Sequence, residues 1–199
     1  MTARWALPLC ARISAVLVFT ALLVACGSDA KPPALHLAGP PRLHFDYDRA
    51  LPLHYVDHGR VAGHPGPIAV HDVSFTSDGT KIDGYLVLPP GRGRRPAVVV
   101  VHGSGGDRRE LLSEAEWLAA RNVVVLTITE PSTSSPPAPA SAGPAAILGQ
   151  LRDRQVRDVI AIRRAVDALR SLRVVDPRRI GYLGWSAGAK TGAFVAASE

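Results

Sequence analysis

The chain has 199 residues, 47% of them hydrophobic and 20% charged, enough for one domain with a full core and too few for two large ones. Its formal charge of +6 comes from scattered arginines, with no block of like charge and no interleaved aromatics, which argues against a nucleic-acid partner. Only Cys10 and Cys26 are available as cysteines, and no histidines stand at metal-ligand spacing, so neither a disulfide framework nor a metal site is expected.

The first 26 residues read as an address. Arg4 and Arg12 flank the start of an apolar stretch from Ile13 to Ala25. As a helix it would span about 20 Å against roughly 30 Å for a bilayer core, which suits a secretory leader better than a permanent span. Leu23-Val24-Ala25-Cys26 resembles the lipobox of bacterial lipoproteins, with small Ala25 before the cut and Cys26 as the acylated residue. The resemblance implies a leader over residues 1–25 and an exported protein held by lipid at a membrane. It would lie on the outer side of the bacterial cytoplasmic membrane or in the outer membrane. Acyl chains contribute about 0.8 kcal/mol per buried methylene, so more than one chain anchors stably. The plainer alternative is an ordinary secretory signal with a chance cysteine. Losing Arg4 and Arg12 with the leader leaves +4 on the remaining side chains.

Residues 26–67, rich in Pro, Gly and His, read as a tether and wrapping segment with a short strand near Leu53–Val56. Histidines 36, 44, 54, 58 and 64 are unclustered there and read as surface residues. The ordered domain is expected over 68–199. Two strand-like runs flank Ser77-Asp78-Gly79, a hairpin turn in which Asp-Gly suits positive φ. "RRPAVVVVHG" is apolar on both faces, as a strand buried in a parallel sheet requires, and "VVVLTIT" from Val123 repeats the pattern. Between them Leu111, Leu112, Ala115 and Leu118–Ala119 predict a helix ending at Asn122.

Residues 131–145, built of Pro, Ser and Ala, predict a mobile loop with little to pack. A long helix follows from Ala146 to Leu172, with Val159, Ile162, Val166 and Leu169 toward the core. Arg152, Arg157, Arg163, Arg164 and Arg170 are assigned to its wet side. Asp176-Pro177 predicts a turn, "RIGYLGW" a strand, and "AGAKTGAFVAAS" the next helix. Alternating strands and helices of this kind give an α/β fold, mostly parallel with an N-terminal antiparallel hairpin.

The chemistry lies where that last strand meets its helix, at Gly184-Trp185-Ser186-Ala187-Gly188. Gly-x-Ser-x-Gly alone is weak evidence, but a strand-to-helix turn is the place where its geometry works. The turn exposes the serine hydroxyl, and Gly184 and Gly188 let strand and helix pass closely. Trp185 is expected to pack against the sheet. A second element ends an earlier buried strand: His102-Gly103-Ser104-Gly105-Gly106. No Gly-Lys-Ser/Thr follows it, which argues against a phosphate loop.

From about Val70 to Ser198 the chain resembles the N-terminal half of an α/β-hydrolase, in the branch of dienelactone-hydrolase-like and prolyl-oligopeptidase-like serine hydrolases. The carrying residues are "SDGTKIDGYLVLP", "PAVVVVHGSGG" and "VDPRRIGYLGWSAGA". The resemblance implies Ser186 as nucleophile and the N–H groups of Ser104 and Ala187 as an oxyanion hole. It gives His102 a structural place in the oxyanion loop with Gly103, Gly105 and Gly106. The implied substrate is a small-molecule carboxylic ester, with a peptide as runner-up, and the reaction needs no cofactor.

In this fold the triad runs Ser, acid, His along the chain. No histidine follows Ser186, and Glu199 is the sole carboxylate after it. The triad acid and base are therefore absent from this chain, and a serine without its base is a weak nucleophile. The sheet would also keep an exposed apolar edge after the nucleophile helix. The sequence accordingly reads as an incomplete, inactive form of a serine esterase. A non-catalytic lipid-tethered binding module and completion by a second chain are the two other readings.

Overall fold

The computed structural model describes residues 45–64 and 66–198, which fall in a compact unit that starts at Leu43. The expected leader and Cys26 lie outside the described residues. Six strands form one sheet: β1 (Val56–Arg60), β2 (Ala69–Ser77), β3 (Thr80–Leu88), β4 (Arg95–Val101), β5 (Val124–Ile128) and β6 (Val175–Gly184). Three helices accompany them: α1 (Leu112–Ala119), α2 (Pro144–Ser171) and α3 (Ala187–Ser198). The spatial order is β1-β2-β3-β5-β4-β6.

β1, β2, β3 and β5 pair antiparallel, whereas β5, β4 and β6 pair parallel. Ser77 opposes Thr80 across the hairpin, and Asp78 and Gly79 both take positive φ, at 45° and 71°. The expected Asp-Gly turn therefore forms. The short strand comes slightly later than expected, at Val56–Arg60.

Alternation along β4 divides the core into two layers. Val99 and Val101 face α2 and α3 with Val73, Phe75, Ile82 and Leu126. Val100, between them, faces α1 with Val70, Val87 and Val125. β4 thus needs apolar residues at every position from Ala97 to Val101. From it the chain crosses by α1 to β5 on one side, and from β5 by α2 to β6 on the other side of β4. That reversal of direction opens a crevice at the carboxyl ends of the parallel strands.

Two expectations fail. Asp176-Pro177 does not separate the long helix from the strand; it lies inside β6, where Arg95 opposes Val175 and Ala97 opposes Ile180. The turn chemistry persists as a bulge, with the Arg178 amide donating to Asp176 Oδ1 at 3.1 Å. Arg163 and Arg164 are not on a wet face of α2 but are buried, at 9% and 3% exposure.

The wrapping segment explains this burial. Phe45 enters the core beside Phe194, ring centroids 6.0 Å apart. Residues 45–53 then cover the outer face of α2. Arg163 donates to the Phe45 carbonyl at 2.7 Å, and Arg164 donates to the carbonyls of Leu51 at 2.8 Å and Thr76 at 3.4 Å. Tyr47 lies against both guanidiniums and donates to Asp167 at 2.7 Å; burial and that carboxylate push its phenol up to about 12. A hydrophobic period cannot show that a polar stripe is covered by backbone carbonyls. Arg164→Met leaves two carbonyls without their donor and is expected to cost about 2 kcal/mol in urea unfolding; an unchanged midpoint would refute this account.

Candidate active site

β6 ends at Gly184 and α3 begins at Ala187, leaving Trp185 and Ser186 to make the turn. The turn is fastened to the end of β4. The Trp185 amide donates to the Val101 carbonyl at 3.0 Å, and the Gly188 amide to that of His102 at 3.2 Å. Ser186 has φ 49°, a left-handed conformation costing on the order of 1–3 kcal/mol in a residue with a side chain. It is also exposed.

The flanking glycines are fixed by backbone contact. A Cβ on Gly188 would meet the carbonyl oxygens of Val101 at 2.6 Å and His102 at 2.7 Å. One on Gly184 would meet Gly188 C at 2.5 Å. Neither neighbour can give, because both are main chain. The turn is anchored from within as well, as Tyr182 donates its hydroxyl to the Gly188 carbonyl at 2.6 Å.

The loop after β4 lies directly against this turn. A Cβ built on Gly103 would be 3.6 Å from Ser186 Cβ. His102, 3% exposed, organises the loop. The Glu130 amide donates to its Nε2 at 3.1 Å, which puts the ring proton on Nδ1, and Nδ1 donates to the Gly103 carbonyl at 2.6 Å. Both ring nitrogens are committed to backbone, so His102 acts here as a structural pin. Gly105, at φ 74°, completes a tight turn closed by the Gly106 amide on the Gly103 carbonyl. Glu110 accepts from the Gly103 amide and lies against Gly106, where a side chain would collide with its carboxylate.

Ser104 and Ala187 line one cavity of about 360 Å³. Among the described residues, no protein acceptor takes the amide hydrogen of either. Two unspent backbone donors thus lie in one cavity wall, one of them on the residue that follows the exposed, strained serine. No histidine hydrogen-bonds Ser186 among the described residues: His58, His64 and His71 pair instead with Ser74, Glu116 and Asp57. No cluster of potential metal ligands occurs among them either.

Trp185 departs from expectation. It is 62% exposed rather than packed on the sheet, because the turn throws its side chain outward across the face of Gly103. The Pro/Ser/Ala loop also differs from a segment with nothing to hold. Residues Pro131–Ser134 form a 3-10 turn whose Ser132 amide donates to Asp158 at 2.9 Å. Arg154 and Gln150 of α2 donate to carbonyls of Ser135 and Pro136.

Two acidic residues in the cavity wall escaped the sequence reading. Glu130 follows β5 and Asp158 sits on α2, at 4% and 6% exposure. Burial, then the Asp158 charge, pushes Glu130 up to about 7, against the neighbouring Thr191 hydroxyl and the charge of Lys190. Burial likewise raises Asp158, opposed by Ser132, Arg157 and His102. The available signal was a carboxylate closing a wholly buried strand, where α/β sheets place their ligands.

No protein-family model matches the chain, and no curated protein matches it. Solved structures do. An acetyl xylan esterase from Paenibacillus sp. R4 is 27% identical with a TM-score of 0.61, over 74% of this chain and 51% of that one. Acetyl xylan esterase 1 from a Thermoanaerobacterium species is 18% identical at 0.59, covering 77% and 51%. A dienelactone hydrolase-like promiscuous phosphotriesterase from metagenomic libraries is 23% identical at 0.53, covering 67% and 55%. The chain has the α/β-hydrolase fold and spans about half the length of these proteins.

Glu130 gives the cavity a measurable signature. With a folded pKa of about 7 against an ordinary 4.5, the unfolded chain loses this proton first as pH rises. Its contribution to stability is full below about pH 4.5 and is lost as pH climbs through 7, a change of roughly 3 kcal/mol. Glu130→Gln should flatten most of that slope in unfolding measured from pH 4 to 8, Asp158 contributing the remainder in the same direction. Equal slopes in the two proteins would show that Glu130 titrates normally.

Proposed function

We propose that this chain carries the nucleophile and oxyanion site of a serine hydrolase acting on carboxylic esters. The observation that carries the reading is the conformation of Ser186: exposed, at φ 49°, on a strand-to-helix turn whose glycines tolerate no side chain. The esterase structures that share the fold support the ester class.

In this mechanism Ser186 Oγ attacks the ester carbonyl carbon and loses its proton to a base. The carbonyl electron pair moves onto oxygen, which the Ser104 and Ala187 amides hold. Collapse of that oxyanion expels the alcohol, protonated as it leaves, and forms an acyl-Ser186 ester. Water, deprotonated in turn, attacks the acyl carbon and releases the carboxylic acid and free Ser186. Preset amides of this kind are worth about 2.7–4 kcal/mol each to the barrier.

External imidazole can stand in for a base. The chain treated with p-nitrophenyl acetate and imidazole is expected to gain an acetyl group on Ser186, read by peptide mass spectrometry, and Ser186→Ala to gain none there. Ser104→Pro, which removes one amide hydrogen, should slow acetylation by about 10². Acetylation spread over lysines, with Ser186 untouched, would reject the nucleophile assignment and favour a module that only binds.

We further propose that export and lipid attachment proceed through Cys26, as the lipobox resemblance implies. Mass spectrometry of the mature protein from a bacterial host should show an acylated Cys26 as the first residue. An unmodified Cys26, or cleavage elsewhere, excludes the lipid anchor.

A further inference from the structure

Four buried side-chain polar atoms among the described residues have no hydrogen-bond partner: Tyr55 Oη, Arg95 Nε, Glu130 Oε1 and Arg154 Nε. Two of the four, on Glu130 and Arg154, belong to residues that line the cavity beside Ser186. Native proteins leave few such atoms unpaired, and each calls for a physical explanation. This pair has opposite senses. Arg154 Nε carries a hydrogen and can only donate, while a carboxyl oxygen of Glu130 can accept.

The surrounding wall is already spent on internal bonds. Gln155 donates to Thr191 Oγ1 at 3.1 Å, Thr191 donates to the Ala187 carbonyl at 3.2 Å, and Asp158 Oδ1 holds the Ser132 amide. The terminal nitrogen of Arg154 is committed to the loop carbonyls of Ser135 and Pro136. Among the buried side-chain atoms of this one wall, what is left over is one donor and one acceptor. Both atoms are closed to bulk solvent, on residues that line the cavity. The terminal torsion of a glutamate is soft, so turning the carboxyl presents an oxygen to the cavity without backbone movement.

The charged and titratable groups around Glu130 come from every neighbouring element: Asp158 and Arg154 from α2, Lys190 from α3, Tyr182 from β6 and His102 from the end of β4. The neutral group that satisfies an acceptor and a donor at once is a hydroxyl.

We propose that Glu130 and Arg154 form a subsite for a hydroxyl group on the part of the ligand that enters this cavity, the hydroxyl donating to Glu130 and accepting from Arg154 Nε. Calling that ligand a substrate rests on the hydrolase reading; the binding itself does not. The subsite makes the cavity selective for hydroxylated esters over their alkyl analogues.

The probes are methyl 2-hydroxyisobutyrate and methyl pivalate, which differ by a hydroxyl in place of a methyl. Affinities for the full chain are measured at pH 6 by ligand-observed NMR. The hydroxy ester is expected to bind roughly thirtyfold tighter, the net worth of two hydrogen bonds. Glu130→Gln, which still accepts and donates, should keep the preference. Glu130→Leu and Arg154→Lys, which retains the charge without Nε, should each reduce it about fivefold. If Glu130→Leu does not fold, Arg154→Lys decides. Equal affinity of the two esters, no binding of either, or a preference untouched in Glu130→Leu or Arg154→Lys would overturn the proposal. Ser186→Ala should leave the preference intact, so a failure of the nucleophile appears in the acetylation experiment and not here.

Discussion

The structure turns on a contact between two pieces of main chain. The start of α3 passes so near the end of β4 that no Cβ fits at Gly188, and the Gly188 amide bonds to the His102 carbonyl across the gap. That approach holds Ser186 in a left-handed conformation a serine would not choose alone, and it places the loop after β4 beside the same residue. The hydroxyl, the two unused amides and the cavity all follow from it. Strain at one residue is sustained because the surrounding sheet over-determines its position.

Around that point the three parallel strands end together, and each contributes one loop. His102 ties two of them through its ring nitrogens, receiving the Glu130 amide on one side and donating to Gly103 on the other. Asp158 ties the loop after β5 to α2 through Ser132. The buried acids therefore shape the cavity wall as well as titrate in it. A carboxyl group with little solvent and a second acid nearby keeps its proton to a higher pH, so near neutrality the wall is less negative than its composition implies.

Much of this was legible in the residues. The valine runs of β4 and β5 admit only a doubly buried strand, and the glycines at 184 and 188 mark a close passage whatever surrounds them. Asp78-Gly79 named its own turn. The failures share one cause, which is that they depend on what covers a residue. Arg163 and Arg164 have the pattern of a solvated face until residues 45–53 lay carbonyls over them. Trp185 is a large apolar residue that the turn turns outward. Glu130 and Asp158 are 28 positions apart and carry no joint motif, so only the fold brings them together. Asp176-Pro177 has true turn chemistry, spent on a bulge rather than an end.

The strap formed by residues 45–53 carries a practical consequence for anyone handling the protein. Its polypeptide is the counter-surface for two guanidinium groups and for one side of Phe194. A shortened version begun at the hairpin would bare an oily groove with two cations stranded beside it. Such a fragment would be expected to clump on expression, however intact the turn at Ser186.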